Sequence, residues 1–345
     1  MPPQQGTSPH RRRLRLSSRQ DARWLAAAAS LAERARPLSR PNPAVGAVIV
    51  RDGIVVGRGW TQFGGRPHAE AMALEQAGVK ARGATLYVTL EPCAHRSDRG
   101  PACADLVAAA GLARVVAGVV DPDQRTAGAG LERLCAAGID ASCADDSTCR
   151  ESLAGFLMRK TLDRPHVTLK LAMSLDGCIA TASGESQWIT GPEARAHAHR
   201  ERARVDAILV GGGTFRADAP RLDVRLAGLE SRSPAKLVLT GDDVPERWHA
   251  LLDPQEIRAL DQVQYLLVEG GAGAAASFLE ADLVDRLMIY RGPVLLGPGL
   301  QAIGDIGLES LASAHARWRH VDSRVLGRDT LDIYQRAREG KGWIV

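Results

Sequence analysis

Two α/β domains in tandem are predicted by three features of the chain. Apolar, β-rich runs alternate with helical stretches, two strands in the second half run straight into glycines, and Asp163-Arg164-Pro165 breaks the pattern between the halves. At 345 residues the chain is long enough for two full-sized cores. The first domain is expected over residues 19–150 as a three-layer α/β/α arrangement. A linker helix over 151–164 and a second α/β domain over 165–338 follow.

Periodicity justifies the first half element by element. Trp24, Leu25, Ala28, Leu31 and Ala32 fall at helical spacing within residues 20–35. Residues 44–50 form an apolar β-rich run, and Asp52-Gly53 is a hairpin signal before a second strand over 54–59. Residues 68–76 read as a helix with Glu75 and Gln76 outward, 85–90 as a buried strand, and 103–110 as a further helix. A strand over 115–119, a turn at Asp121-Pro122-Asp123 and a helix over 130–137 complete the domain. In the second half, strands are read over 167–172, over 207–210 running straight into the glycines of 211–214, and over 265–268. Pro192 opens a helix over 193–204, and another follows over 274–280.

Charge and composition exclude several classes. The formal charge is +4, but residues 1–20 hold five Arg and no acid, which leaves 39 basic against 40 acidic residues elsewhere. A near-neutral body lacks the electrostatic footprint of a nucleic-acid binder, so no nucleic-acid partner is expected. Residues 1–18, with Arg11-Arg12-Arg13, read as a disordered basic tail, with a transit peptide as the functional alternative. No run of about 18 apolar residues occurs, so a cytoplasmic enzyme without membrane contact is expected. Six cysteines without an export signal point to reduced thiols. Cys135, Cys143, Cys149 and Cys178 read as packing or surface residues.

Cys93 and Cys103 are different, because His68-Ala69-Glu70 and Glu91-Pro92-Cys93 stand upstream. His68, Cys93 and Cys103 offer one imidazole and two thiolates, the ligands of a catalytic zinc that keeps a fourth position open for water. His-x-Glu followed by Pro-Cys and a second Cys is the pattern of zinc deaminases, in which the Glu moves protons and is not a ligand. Residues 96–101 supply the polar, Gly/Pro-containing loop that the Cys93–Cys103 spacing needs. A structural zinc would need a fourth protein ligand. His95 is the candidate, one residue removed from Cys93. With a catalytic zinc, the metal makes hydroxide available near neutral pH and Glu70 carries the proton to the departing ammonia. Gly211-Gly212-Gly213-Thr214 and Gly270-Gly271-Ala272-Gly273, each after a strand, allow backbone N–H groups to approach a phosphate.

Further motifs carry a resemblance. They are Pro41-Asn42-Pro43, His68-Ala69-Glu70, the segment 87–93 and Asp121-Pro122 in the first half. In the second they are Leu169-Lys170, Ser174-Leu175-Asp176-Gly177, Gly184-Glu185-Ser186-Gln187-Trp188-Ile189-Thr190, residues 211–214, Ala217-Asp218 and Val268-Glu269-Gly270-Gly271. In this order, over residues 20–336, the chain resembles the bifunctional riboflavin-biosynthesis deaminase/reductases. The resemblance implies a cytidine-deaminase-like first domain and a dihydrofolate-reductase-like second one. It implies zinc-dependent hydrolytic deamination of 2,5-diamino-6-(5-phosphoribosylamino)pyrimidin-4(3H)-one, then NADPH reduction of the ribosyl to the ribityl group. The partner is then a small phosphoribosyl-pyrimidine, and a homo-oligomer is left open.

By the same resemblance Asn42, His95 and Arg99 contact the deaminase substrate, with Arg99 suited to phosphate. Ala172, Trp188, Thr214, Asp218 and the run Gly271, Ala272, Gly273, Ala274, Ala275 match cofactor positions. Lys170, Ser186, Arg202, Leu222, Arg225 and Glu269 match reductase-substrate positions. Thr61 and Asp123 depart from residues the family often has, and Thr240-Gly241 replaces a usual Asp-Ser. Residues 241–264 are shorter than in the family by a strand–helix segment. That shortening motivates an alternative, a monofunctional zinc deaminase with a non-catalytic nucleotide-binding domain.

Overall fold

The computed structural model describes residues 18–95, 99–123 and 126–338. The basic tail, Ser18 apart, and Arg96, Ser97 and Asp98 of the loop between the two cysteines lie outside the described residues. Two compact units divide between Thr161 and Leu162.

In the first unit α1 (Arg19–Ala32) begins at a capping box in which Ser18 and Asp21 satisfy each other's backbone N–H. It ends sooner than the 20–35 expected, and turns fill the residues up to 41. β1 (Gly46–Arg51) and β2 (Ile54–Trp60) form the expected hairpin. Asp52 and Gly53 both take the positive φ that a two-residue turn demands. Then follow α2 (Ala69–Ala77), β3 (Thr85–Leu90), α3 (Cys103–Ala109), β4 (Arg114–Val119), α4 (Ala129–Ala136), β5 (Asp140–Cys143), α5 (Ser147–Ser152) and α6 (Ala154–Leu162). The sheet order is β2-β1-β3-β4-β5, with β1 antiparallel to its neighbours and β3, β4 and β5 parallel.

Helices cover both faces of this sheet, and small residues set how closely. A Cβ on Gly46 would stand 1.9 Å from the Ala28 carbonyl of α1, and one on Gly59 would stand 2.1 Å from the Ala69 carbonyl of α2. Only glycine admits those helix backbones, and the second approach presses the start of α2 onto β2. On the other face Asp21 ties α1 to the sheet. It accepts from the Tyr87 hydroxyl at 3.0 Å and from Arg114 at 2.8 and 3.0 Å. The residues read as a linker helix form the end of α5 and α6, and Leu153, Phe156 and Leu157 are buried in the first unit's core.

The second unit contains β6 (His166–Met173), β7 (Cys178–Ala180), α7 (Pro192–Arg202), β8 (Ala207–Gly211), α8 (Gly212–Asp218), β9 (Ala235–Leu239), β10 (Trp248–Leu251) and β11 (Tyr265–Val268). After these come α9 (Ala272–Glu280), β12 (Arg286–Arg291), β13 (Leu300–Gln301), α10 (Leu311–Ala314), β14 (Trp318–Leu326) and β15 (Asp329–Arg336). Eight strands make one sheet in the order β10-β9-β8-β11-β6-β12-β15-β14, parallel from β10 to β12 and antiparallel beyond. β6 lies inside it, which explains why residues 167, 169 and 171 are buried. Arg164, read as part of a break, is buried and pairs with Asp285 at 2.7 and 2.8 Å. The segment 241–264 holds β10 and a 3-10 helix over Pro254–Ala259 but no α-helix.

Burial alone would raise the Asp21 pKa, but Arg114, the Ser18 amide and the Tyr87 hydroxyl outweigh it and hold the carboxyl below its ordinary 3.8. Folding therefore favours the ionised form. Its contribution is complete above that pH and fades as pH falls through the lower folded-state value. Asp21→Asn should cost about 1.5–3 kcal/mol in urea unfolding at pH 7. The gap from the unaltered chain should close on acidification toward the lower value; a gap independent of pH would refute an ionic role.

Candidate active sites

His68 is the N-cap of α2, and Cys103 is the first residue of α3. Cys93 follows β3 by way of Glu91-Pro92. The sequence thus places three donors at two helix N-termini and one strand end. His68 Nδ1 stands 3.2 Å from Cys103 Sγ and 3.7 Å from Cys93 Sγ, and the Cys103 amide donates to Cys93 Sγ at 3.3 Å. All three ligand atoms lie within 4.8 Å of one another. Bonds of about 2.0–2.3 Å to a tetrahedral ion put two ligands about 3.5 Å apart, so the set fits zinc. Among the described residues no other group of three His, Cys, Asp or Glu side chains is so gathered.

In the absence of a metal the three donors share their protons unequally. The side-chain hydrogen bond with the Cys103 thiol is the largest influence lowering Cys93, to about 4 against its ordinary 9.0, and the same bond pushes Cys103 up. Burial would lower the His68 pKa, but its bond to Cys93 and the charge of Glu70 raise it. Glu70, in the first turn of α2, is 3% exposed, and its burial raises its carboxyl above 4.5. A carboxyl so placed exchanges a proton more readily near neutral pH. His95, the alternative fourth ligand, instead lies 3.4 Å from the Thr126 hydroxyl.

What holds Cys93 in place was not legible as a role in the sequence. The buried Glu91 carboxylate accepts from the amides of Asp121 and Gly128 at 3.2 and 2.9 Å and of Gly130 and Leu131 at 2.9 and 3.0 Å. It thereby ties the strand end that carries Cys93 to the start of α4. Gly130 permits the approach, since a Cβ there would lie 1.9 Å from the Pro92 carbonyl. Glu-Pro-Cys made Glu91 visible, but its partners are 30–40 residues away.

Of the expected substrate contacts, Asn42 and Arg99 meet at one turn. Asn42 Nδ2 donates to the Gly65 carbonyl at 3.1 Å and Arg99 Nη2 to that of Gly64 at 2.8 Å. Gly65, at φ +87°, leaves no room for a Cβ, which would stand 2.4 Å from Asn42 Cγ. Thr61 uses its hydroxyl to accept from the Val45 amide at 3.0 Å, a bond within the fold.

In the second unit Lys170, Arg202 and Glu269 come together. Glu269 accepts from Arg202 at 2.7 and 2.9 Å and from Lys170 at 3.4 Å. Burial works to raise its carboxyl, yet the two cations bring it down to about 2. Arg202 also donates to the Asp223 carbonyl at 3.1 Å, which brings the 222–225 loop in. In that loop Leu222 is buried at φ +49°, and exposed Arg225 pairs with Asp223. Ser186 and Asp218 make no hydrogen bond to this cluster among the described residues.

The glycine junctions behave as helix starts. Gly211 caps α8 and Gly271 caps α9. The Gly271 amide donates to the Thr214 hydroxyl at 3.0 Å, and that of Ala275 to the Gly271 carbonyl at 3.1 Å. The helix-start N–H groups without an intrahelical acceptor are therefore those of Ala272, Gly273 and Ala274. Ala274 and Ala275 are buried, and the Ala275 N–H is already taken by the Gly271 carbonyl. Trp188 is 60% exposed, with the Arg195 guanidinium 4.6 Å from its ring centroid. Ala172 is half-buried in β6, opposite Tyr290 of β12.

Comparison with known proteins finds matches to both units. Residues 18–119 match the cytidine and deoxycytidylate deaminase zinc-binding region, and residues 165–331 match the RibD C-terminal domain. The riboflavin biosynthesis protein RibD of Escherichia coli is 41% identical over 360 aligned positions, covering 90% of this chain and 98% of that one. The Aquifex aeolicus protein of the same name is 36% identical over 92% and 98%. Among solved structures, Acinetobacter baumannii RibD superposes with a TM-score of 0.82 at 34% identity, over 92% of this chain and 99% of that one. A Thermotoga maritima diaminohydroxyphosphoribosylaminopyrimidine deaminase/5-amino-6-(5-phosphoribosylamino)uracil reductase gives 0.81 at 31% identity, with the same coverage.

Glu91→Gln keeps the shape but replaces two charge-assisted acceptors with an amide that must present an NH₂ group to backbone N–H. A loss of about 1.5–3 kcal/mol in stability is expected. Metal content after dialysis, measured by atomic absorption, should fall with it. Unchanged stability and retention would show that Glu91 does not hold the Cys93 turn.

Proposed function

From the chain's membership of the RibD family of bifunctional riboflavin-biosynthesis enzymes, to which it belongs, we propose how its residues divide two consecutive reactions. The enzyme is a zinc-dependent deaminase and an NADPH-dependent reductase. Its substrate is 2,5-diamino-6-(5-phosphoribosylamino)pyrimidin-4(3H)-one, which is deaminated and then reduced from ribosyl to ribityl. The observation that carries the deaminase assignment is the gathering of His68, Cys93 and Cys103 beside buried Glu70.

His68, Cys93 and Cys103 would hold the zinc, which when bound lowers the pKa of a water at its open position to about 7. Glu70 is the proton carrier. Its carboxylate takes a proton from the attacking water and delivers it to the pyrimidine ring nitrogen. It then takes the remaining proton from the hydroxyl added to the ring carbon and delivers it to the amine, which leaves as ammonia while the carbonyl forms. Asn42 and His95 orient the substrate, and Arg99 takes its phosphate. The hydrogen bonds that draw Asn42 and Arg99 to one turn support that pairing.

In the second unit NADPH supplies the hydride. Backbone N–H groups at the start of α9, with Thr214 behind Gly271, suit its phosphates. Ala172, Trp188 and Asp218 complete the cofactor positions. Lys170 and Arg202 as donors and Glu269 as acceptor suit the ribose hydroxyls, with Ser186, Leu222 and Arg225 around them. Family membership over nearly the whole length of the relatives disfavours a non-catalytic second domain. No helix among the described residues is long and apolar enough to cross a membrane. The use of NADPH and a phosphorylated substrate supports a cytoplasmic setting.

Glu70→Gln should lower ammonia release by about 10²–10⁴-fold while zinc content stays unchanged. Ammonia release within about tenfold of the unaltered enzyme would remove Glu70 from the proton path. Chelation of zinc should abolish ammonia release but leave NADPH oxidation intact when the deaminated pyrimidine is supplied. Loss of both activities together would mean that the reductase also depends on the metal.

A further inference from the structure

Within the Lys170, Arg202 and Glu269 cluster the bonds are unequal. Arg202 satisfies Glu269 with two short bonds, whereas Lys170 reaches it only at 3.4 Å. The Lys170 side chain is also the most exposed of the three, 19% against 13% for Arg202 and 7% for Glu269. A second contact locates its ammonium. Lys170 Nζ stands 5.8 Å from the ring centroid of Tyr290, within the range at which an aromatic face attracts a cation. β6 and β12 are parallel neighbours, with Lys170 opposite Met288 and Ala172 opposite Tyr290. Tyr290 is therefore the diagonal neighbour of Lys170 on one face of the sheet.

Tyr290 is itself anchored. It is 1% exposed, and its hydroxyl lies 2.8 Å from His197 Nδ1 on α7. Arg324 Nη1 lies 3.5 Å from Nε2 of the same imidazole. A guanidinium only donates, so Nε2 is the acceptor and the neutral ring carries its proton on Nδ1, where it donates to the tyrosine oxygen. Three elements, β14, α7 and β12, thus fix the orientation of one aromatic face.

We propose that Tyr290, held by His197, is a positioning residue of the reductase: its ring keeps the Lys170 ammonium clear of full pairing with Glu269 and presents it to a substrate oxygen. That role rests on the assignment of Lys170 and Glu269 to the reductase substrate site. Truncating the ring would let Lys170 close on Glu269, so hydride transfer would slow; a rise in KM for NADPH would instead report disturbance of Ala172, the cofactor position paired with Tyr290.

The test measures NADPH oxidation with the deaminated pyrimidine, ammonia release from the diaminopyrimidine, and thermal melting. Tyr290→Leu should lower reductase kcat about tenfold, with KM for NADPH and ammonia release unchanged. The deuterium isotope effect from deuterated NADPH should rise. His197→Gln, whose amide still donates to the tyrosine oxygen, should stay within about twofold of the unaltered enzyme, whereas His197→Leu should lose several-fold. The proposal is overturned if folded Tyr290→Leu keeps reductase kcat within about twofold. It is overturned equally if His197→Gln is as impaired as His197→Leu, and if Tyr290→Leu does not fold, this histidine pair decides. Lys170→Ala with full reductase activity would show instead that the underlying site assignment has failed, and the positioning role with it.

Discussion

The Glu91 carboxylate is the constraint on which the deaminase unit depends. A carboxylate 2% exposed is stable only if its lone pairs are answered, and here four backbone amides from residues 121–131 answer them. One side chain thereby offsets its own desolvation, satisfies orphan N–H groups at the start of α4, and fixes the strand end that carries Cys93. The position of Cys93 depends on this exchange, and it is there that the Cys103 amide donates to the Cys93 sulfur at 3.3 Å. Glycine at position 130 is part of the same constraint, since any larger residue would push the Pro92 carbonyl away.

The second unit solves a similar problem with different chemistry. Glu269 also follows a buried parallel strand and is itself buried, but its charge is answered by Arg202 and Lys170. Backbone amides cannot be redirected toward a substrate, whereas a lysine on a flexible stem can. A carboxylate answered by backbone amides and one answered by side-chain cations thus occupy comparable places at carboxyl ends of strands, the usual location of ligand sites in α/β sheets. The partners decide which role each has. The inequality between the two short Arg202 bonds and the long Lys170 bond is the feature on which the proposed positioning of Lys170 rests.

Close helix approach is the remaining condition. Gly59 brings the backbone of α2 within a distance no side chain would allow, so the first turn of α2 sits against the sheet with His68 and Glu70 at its edge. The positive end of that helix then favours anionic groups near His68. On the opposite face the Asp21, Tyr87 and Arg114 network holds α1 to β3 and β4.

Local rules acting over a few residues were legible in the sequence alone. They include the β1–β2 hairpin, set by the backbone needs of Asp52-Gly53, the strand-then-glycine junctions, and the zinc donors, whose residue types and order specify their chemistry. The resemblance added which residues are expected at the two substrate sites. Only the tertiary structure decided matters that depend on residues distant in sequence. Residues 151–164 read as a linker because their helical pattern says nothing of which core they join, yet Phe156 and Leu157 belong to the first. Glu91 finds its amides 30–40 residues on, and Lys170 finds Tyr290 120 residues on through the pairing of β6 with β12. Periodicity and spacing record how each segment folds onto itself. Which segments become neighbours is settled by sheet order and close packing, so the positions of Cys93 and the Lys170 ammonium emerged only with the assembled fold.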